Sequence, residues 1–271
     1  LTLDWGEHTL TCNEFWGLDV TPYASLTIKR GTYEHKGGIS YGYTGSAIQA
    51  NKVKDAGPGC TITIESDATV KTDGDAVLCQ GYNNVYVNGK IYCFKNGIFG
   101  MGPCNNVTLD GAYIESDTYA VYQNPYTTTL TFERKGSVYN IKNSTIIADD
   151  EQPGVFLFNY KESTSSNHVL NIENSSISAG IGVYMVFTDA TISGDSTIIS
   201  TNEAGNAIFF GHDGYDDIPG GTVGTLNIKA GTFVGPINEE KPNGDAENKA
   251  IVIVSGGEFD RPVDTEYLAY G

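Results

Sequence analysis

One phrase recurs nine times along the chain: an alternating run of apolar and polar residues, a turn of small residues, then a further apolar position. It reads LTIKRGTY (26–33), ITIESDATV (62–70), VYVNGKI (85–91), VTLDGAYI (107–114) and YNIKNSTI (139–146). It continues as LNIENSSI (170–177), ATISGDSTI (190–198), LNIKAGTF (226–233) and VIVSGGEF (252–259). The second apolar residue of each phrase gives one column: Ile28, Ile64, Val87, Leu109, Ile141, Ile172, Ile192, Ile228 and Val254. Two positions earlier lies a parallel column from Leu26 to Val252, and the residues between and after are mostly polar. Period-two alternation of this kind is a strand buried on one face. Gly31, Gly89, Gly111, Asn143, Asn174, Gly231 and Gly256 follow, residue types that tolerate a left-handed backbone.

Internal repetition of this length indicates stacked coils. Steps between successive anchors run from 20 to 36 residues, so the repeat is not of fixed length and loops must enter at the corners. A second strand also recurs, opening on a small residue followed by Val or Ile: Ala47-Ile48, Ala76-Val77, Gly97-Ile98, Ala120-Val121, Gly154-Val155, Gly182-Val183 and Ala207-Ile208. Two strands at fixed phase per coil imply parallel sheets, each strand bonded to the coils above and below. At ~4.8 Å per coil, nine or ten coils form a rod roughly 45 Å long. The expected fold is therefore all-β: a single-domain, right-handed parallel β-helix over residues 1–271. The segment 263–271 reads as a short cap.

LTLDWGEHTLT (1–11), ASLTIKRGTY (24–33), TLNIKAGTF (225–233) and IVSGGEFDRPVDTEYLAYG (253–271) resemble phrases of right-handed parallel β-helix surface proteins of Gram-positive bacteria. The resemblance covers most of the chain. Trp5 and Glu7 depart from it, since that opening usually carries smaller or polar residues there. It implies an extracellular or cell-surface stalk or binding module within a larger secreted or wall-attached protein. It implies no assigned chemistry. The chain opens on Leu1 inside an alternating run, which suggests a piece of a longer protein.

Charge narrows the partners. Sixteen basic against 33 acidic side chains leave −17, which repels nucleic acid and disfavours anionic glycans and membranes. No apolar run reaches the ~18–20 residues that span a bilayer, so membrane insertion is not expected. Five cysteines, Cys12, Cys60, Cys79, Cys93 and Cys104, lack zinc-site spacing and read as small buried hydrophobes, with one disulfide left open. Asn106, Asn143 and Asn174 begin N-x-[ST] triplets, but they recur at strand starts and turns.

Parallel β-helices host polysaccharide lyases and hydrolases, yet fold does not give function. A hydrolase needs two carboxylates at a set separation. A lyase needs a basic side chain beside calcium-holding carboxylates. Only Arg30, Arg134 and Arg261 are present, and none begins a recognisable signature. His212, Asp213, Asp216 and Asp217 form the densest acidic loop, a candidate calcium site without EF-hand spacing. Asp149, Asp150 and Glu151 read as a charged corner, and His8, His35 and His168 look scattered.

The second strand is apolar on both sides. If Ile48, Val77, Ile98, Val121, Val155, Val183 and Ile208 face inward, then Gln49, Leu78, Phe99, Tyr122, Phe156, Tyr184 and Phe209 face outward; in the reverse phase the Ile/Val column faces outward instead. Such a stripe is unusual without a purpose. Loops at 126–137, 211–224 and 236–247 could cover it as ordinary core. Otherwise it is a self-association face or a platform on which sugars stack their C–H faces against rings. The expectation is a non-enzymatic adhesion module for carbohydrate through Phe99, Tyr122, Phe156, Tyr184 and Phe209. A lyase or hydrolase and a passive stalk are the alternatives. Ice binding by Thr27, Thr63, Thr108 and Thr191 is disfavoured, because Tyr86 and asparagines interrupt the column.

Overall fold

The computed structural model describes residues 1–40, 43–51, 58–124, 135–159, 166–211, 224–240 and 250–264. These residues are all-β, with no helix among them, hence none long and apolar enough to cross a membrane. Two parallel sheets of 17 and 9 strands carry the fold, with one small antiparallel pair, Ile39–Ser40 with Tyr43–Thr44. Except at the two ends, each strand of the two large sheets pairs with the strand one circuit earlier and one circuit later, the pairing order of a β-solenoid.

The anchor column is a continuous register. Ile28 pairs with Ile64, Ile64 with Val87, Val87 with Leu109 and Leu109 with Ile141. Ile141, Ile172, Ile192, Ile228 and Val254 continue it. From Ile28 to Ile228 these side chains are at most 1% exposed. Each buried aliphatic side chain contributes about 1.5–3 kcal/mol, so the columns are the main stabilising element.

From the fourth circuit to the ninth each circuit holds three strands, not two. The recurrent phrase contains a corner: Asn84–Val87 is followed by Lys90–Cys93, and Asn106–Asp110 by Tyr113–Ser116. In the first three circuits the corner is passed within a single long strand, Thr2–Cys12, Ser25–His35 and Thr61–Thr72. The third column, from Leu18–Val20 to Ile237–Glu239, forms the nine-stranded sheet. Its small leading residue has a packing cause. A Cβ on Gly97 would lie 2.5 Å from the Ala120 carbonyl oxygen and 2.7 Å from Ile114 Cγ2, and one on Gly154 would lie 2.8 Å from Ile177 Cγ2. The chain turns inward there against the second column, and a larger side chain has no room.

Corners break the regular ladder, so their inward backbone N–H groups need other acceptors. One corner uses serines. The Ala112 N–H donates to Ser144 Oγ (3.1 Å), Ser144 N–H to Ser175 Oγ (3.1 Å) and Ser175 N–H to Ser196 Oγ (3.4 Å). Gly111, Asn143, Asn174 and Gly194 precede this step with left-handed φ of 72°, 49°, 49° and 63°. This accounts for the Asn143 and Asn174 triplets: the asparagine makes the turn and the serine fills the corner. In the last coil the left-handed glycine is Gly257, not Gly256.

A second ladder precedes the first column. Cys60 N–H donates to Asn83 Oδ1 (2.8 Å), Asn83 N–H to Asn105 Oδ1 (3.3 Å), Asn105 N–H to Ser137 Oγ (3.1 Å) and Ser137 N–H to His168 Nδ1 (2.8 Å). His168 therefore belongs to an ordered column rather than standing apart. All five cysteines are free thiols. Cys60, Cys79 and Cys93 are buried, and burial pushes the last two thiols up to about 12.

Candidate functional site

The third column has Ile48, Val77, Ile98, Val121, Val155, Val183 and Ile208 inward, each fully buried. On the opposite side, Gln49 pairs with Leu78, Leu78 with Phe99, Phe99 with Tyr122, Tyr122 with Phe156, Phe156 with Tyr184 and Tyr184 with Phe209. The five aromatics are half-buried and stand one per circuit, while Leu78 is nearly covered.

Ring geometry varies along this ladder. Phe99 and Tyr122 have centroids 5.2 Å apart and planes 1° apart. Tyr122 and Phe156 are 5.2 Å and 18° apart. Rings this close cannot lie side by side in one plane, so they overlap in offset stacks, a favourable aromatic arrangement. Phe156 meets Tyr184 edge-on at 4.5 Å and 62°, and Tyr184 meets Phe209 at 5.1 Å and 58°. Tyr119 joins from the flank, 4.7 Å from Tyr122 and 5.7 Å from Phe156. Its position, directly before the small residue Ala120, was the available sequence signal for this sixth ring.

Part of the ladder is packed. Phe158, Val186 and Phe187 are buried in a cluster separate from the main core, and Phe156 and Tyr184 rest on it. The loops that could cover the stripe, 126–137, 211–224 and 236–247, lie for most of their length outside the described residues.

Asp213, Asp216, Asp217 and His212 also lie outside the described residues. Among those described, no three His, Cys, Asp or Glu side chains converge as a metal site would require. Asp149 accepts the Glu151 N–H at 2.8 Å, which makes the acidic run around it a tight turn. Arg30 is bound to Asp4 at 3.1 Å, with Lys29 at 3.7 Å. The Gly6 N–H and Arg30 hold the Asp4 carboxyl below its ordinary range. Arg261 lies 4.0 Å from Asp260, and Arg134 falls outside the described residues.

Sequence reasoning missed a cleft of about 440 Å³ on the second column and its following corner, over the second to fifth circuits. Its floor is the outward row Glu34, Lys71, Tyr92 and Glu115, one residue per coil. Phe94 and Asp117 rise from the corner. Lys36 pairs with Glu34 at 3.0 Å, Lys71 Nζ stands 5.8 Å from the Tyr92 ring centroid, and the Tyr113 hydroxyl donates to Glu115 at 2.7 Å. Glu34 and Glu115 are three coils apart, roughly 14 Å. That is too far for the carboxylate pair of a glycosidase, which needs about 5–9.5 Å.

Compared with protein-family models, curated proteins and solved structures, the chain matches none.

Proposed function

We propose that this chain is a right-handed parallel β-helix module of a bacterial secreted or cell-surface protein, and that it binds a neutral glycan along its third strand column. The observation that supports this reading is the register-locked row Phe99, Tyr122, Phe156, Tyr184 and Phe209. These are five large rings in successive circuits, each kept half-exposed at the same position of its strand. Because Phe99, Tyr122 and Phe156 stack on one another, a linear glycan lying along the column would meet a row of ring edges, one per coil, with open ring faces only where the stack is broken. The −17 net charge favours a neutral glycan over an acidic one.

A glycan array followed by calorimetry tests the proposal. The double variant Tyr122→Ala/Tyr184→Ala should weaken glycan binding about tenfold or more, roughly 1.4 kcal/mol or above, while far-UV circular dichroism stays that of the parent. Unchanged affinity would reject the ladder as the site. Release of shortened sugar would move the chain to the lyase or hydrolase class. Absence of any glycan partner would leave the passive stalk.

A further inference from the structure

The cleft over Tyr92 is separate from the aromatic ladder and has its own chemistry. Four carboxylates line it, Glu34, Asp73, Glu115 and Asp117, against two ammonium groups, Lys36 and Lys71. Much of that charge is already engaged at one end. Glu34 accepts from both Lys36 and the Thr11 hydroxyl, and Asp73 accepts the Gly38 N–H at 2.7 Å. At the other end the carboxylates are open. Among the described residues the Glu115 carboxylate accepts only the neutral Tyr113 hydroxyl, and the Asp117 carboxylate has no hydrogen-bond or ion-pair partner, although the Asp117 N–H donates to the Cys93 carbonyl. Both are exposed, and both flank aromatic surface: Tyr92, 5.6 Å from Tyr113, and Phe94, which is 46% exposed.

We infer that this cleft is a second binding site, and that its ligand is an amino sugar bearing a protonated amine, held at the end of or within a short oligosaccharide. Each part of the ligand has a counterpart. The ammonium group meets Glu115 and Asp117, where charge-assisted hydrogen bonds are strongest. The C–H face of the pyranose ring meets Tyr92 and Phe94. Ring hydroxyls can accept from Lys71 and donate to the carboxylates across the floor. Uronic acids and sialic acids are repelled by the surplus of carboxylates, and an N-acetylated sugar lacks the charge that Asp117 is placed to receive. This inference stands independently of the ladder, whose residues contribute nothing to the cleft.

The test is calorimetry with a glucosamine tetramer against its N-acetylated counterpart. The amine form should bind, weaken with added salt, and bind at least about tenfold more tightly than the acetylated form. Glu115→Gln with Asp117→Asn should lose about tenfold or more. Both positions are exposed, so the fold should not change, and the ladder variant Tyr122→Ala/Tyr184→Ala should bind the tetramer as the parent does. Equal binding of the acetylated tetramer would overturn the charge recognition. Equal binding of a tetralysine peptide would overturn the sugar. Unchanged affinity in the carboxylate variant, or no binding of the amine tetramer, would overturn the site.

Discussion

Gly100→Ala should destabilise the chain by about 3 kcal/mol, within the range for overpacking combined with a broken buried network. Gly100 sits in the inward row of the third column between Cys79 and Gln123. Gln123 is 1% exposed and holds three partners inside the coil. Its Nε2 donates to the carbonyls of Gly102 (3.0 Å) and Asn124 (3.1 Å), and its Oε1 accepts the Tyr139 hydroxyl at 2.5 Å. A Cβ on Gly100 would lie 2.8 Å from the Tyr139 oxygen and closer still to Gln123 Oε1. Gln123 cannot retreat without giving up its bond to the buried Tyr139 phenol, so the methyl group removes hydrogen bonds as well as space. Gly111→Asn is the control. Gly111 has nothing within 4 Å of an added Cβ, and the equivalent corners already carry Asn143 and Asn174 with φ of 49°. That change should stay within about 0.5 kcal/mol. Urea unfolding of the two variants measures the contrast. Equal, small shifts in both would show that the Gln123 network yields.

The same contrast explains what could be read from the residues beforehand. The inward columns were legible because a strand's side chains alternate strictly and because stacking places like residues in register. Every anchor from Ile28 to Val254 pairs with its neighbour in the list. The second strand of each circuit was hidden inside the phrase. Its corner is a single left-handed residue such as Gly111 or Asn143, too brief to look like a break between elements. The polar ladder of Asn83, Asn105, Ser137 and His168 was hidden for another reason. Its members accept the same kind of hydrogen bond with three different side chains, asparagine, serine and histidine, so no single residue type runs through the column, and His168 looked isolated. The sequence left two phases open for the aromatic stripe, and the full burial of Ile98 and Val121 decides that the rings face outward. The angles between its rings did not, because they depend on packing around Phe158 and Phe187. The cleft escaped because Glu34, Lys71, Tyr92 and Glu115 share a row but no chemistry. Their alignment appears only once the second column is counted as a strand of its own.

Two buried titratable groups should give this chain opposing responses to acid, and removing either should expose the other. His168 is 2% exposed. Its Nδ1 accepts the Ser137 N–H, so its Nε2 carries the proton and donates to the Phe158 carbonyl at 3.1 Å. Burial lowers its pKa from 6.5 to about 4, despite the favourable Phe158 contact. Between those values the unfolded chain takes up a proton that the folded chain refuses. Stability therefore falls as pH drops from 6.5 to 4, by roughly 3 kcal/mol at 1.36 kcal/mol per pH unit. Asp75 works in the other direction. It is 3% exposed, and burial raises its pKa from 3.8 to about 6, opposed by hydrogen bonds from the Asn96 backbone (3.1 Å) and side-chain amide (2.7 Å). Here the folded chain takes up the proton first, so stability rises as pH drops from 6 to 3.8, by a similar amount. His168→Asn keeps an acceptor like those of Asn83 and Asn105 in the same ladder but cannot ionise. Its urea midpoint should climb, relative to the parent, as pH falls from 6.5 to 4. Asp75→Asn should do the reverse and lose about 3 kcal/mol more than the parent's change across the same window. Parallel midpoint curves for the parent and both variants would mean that neither burial distinguishes the folded chain from the unfolded one. The opposition itself has a structural origin: burial favours the neutral form of both groups, which for His168 means losing a proton and for Asp75 means holding one.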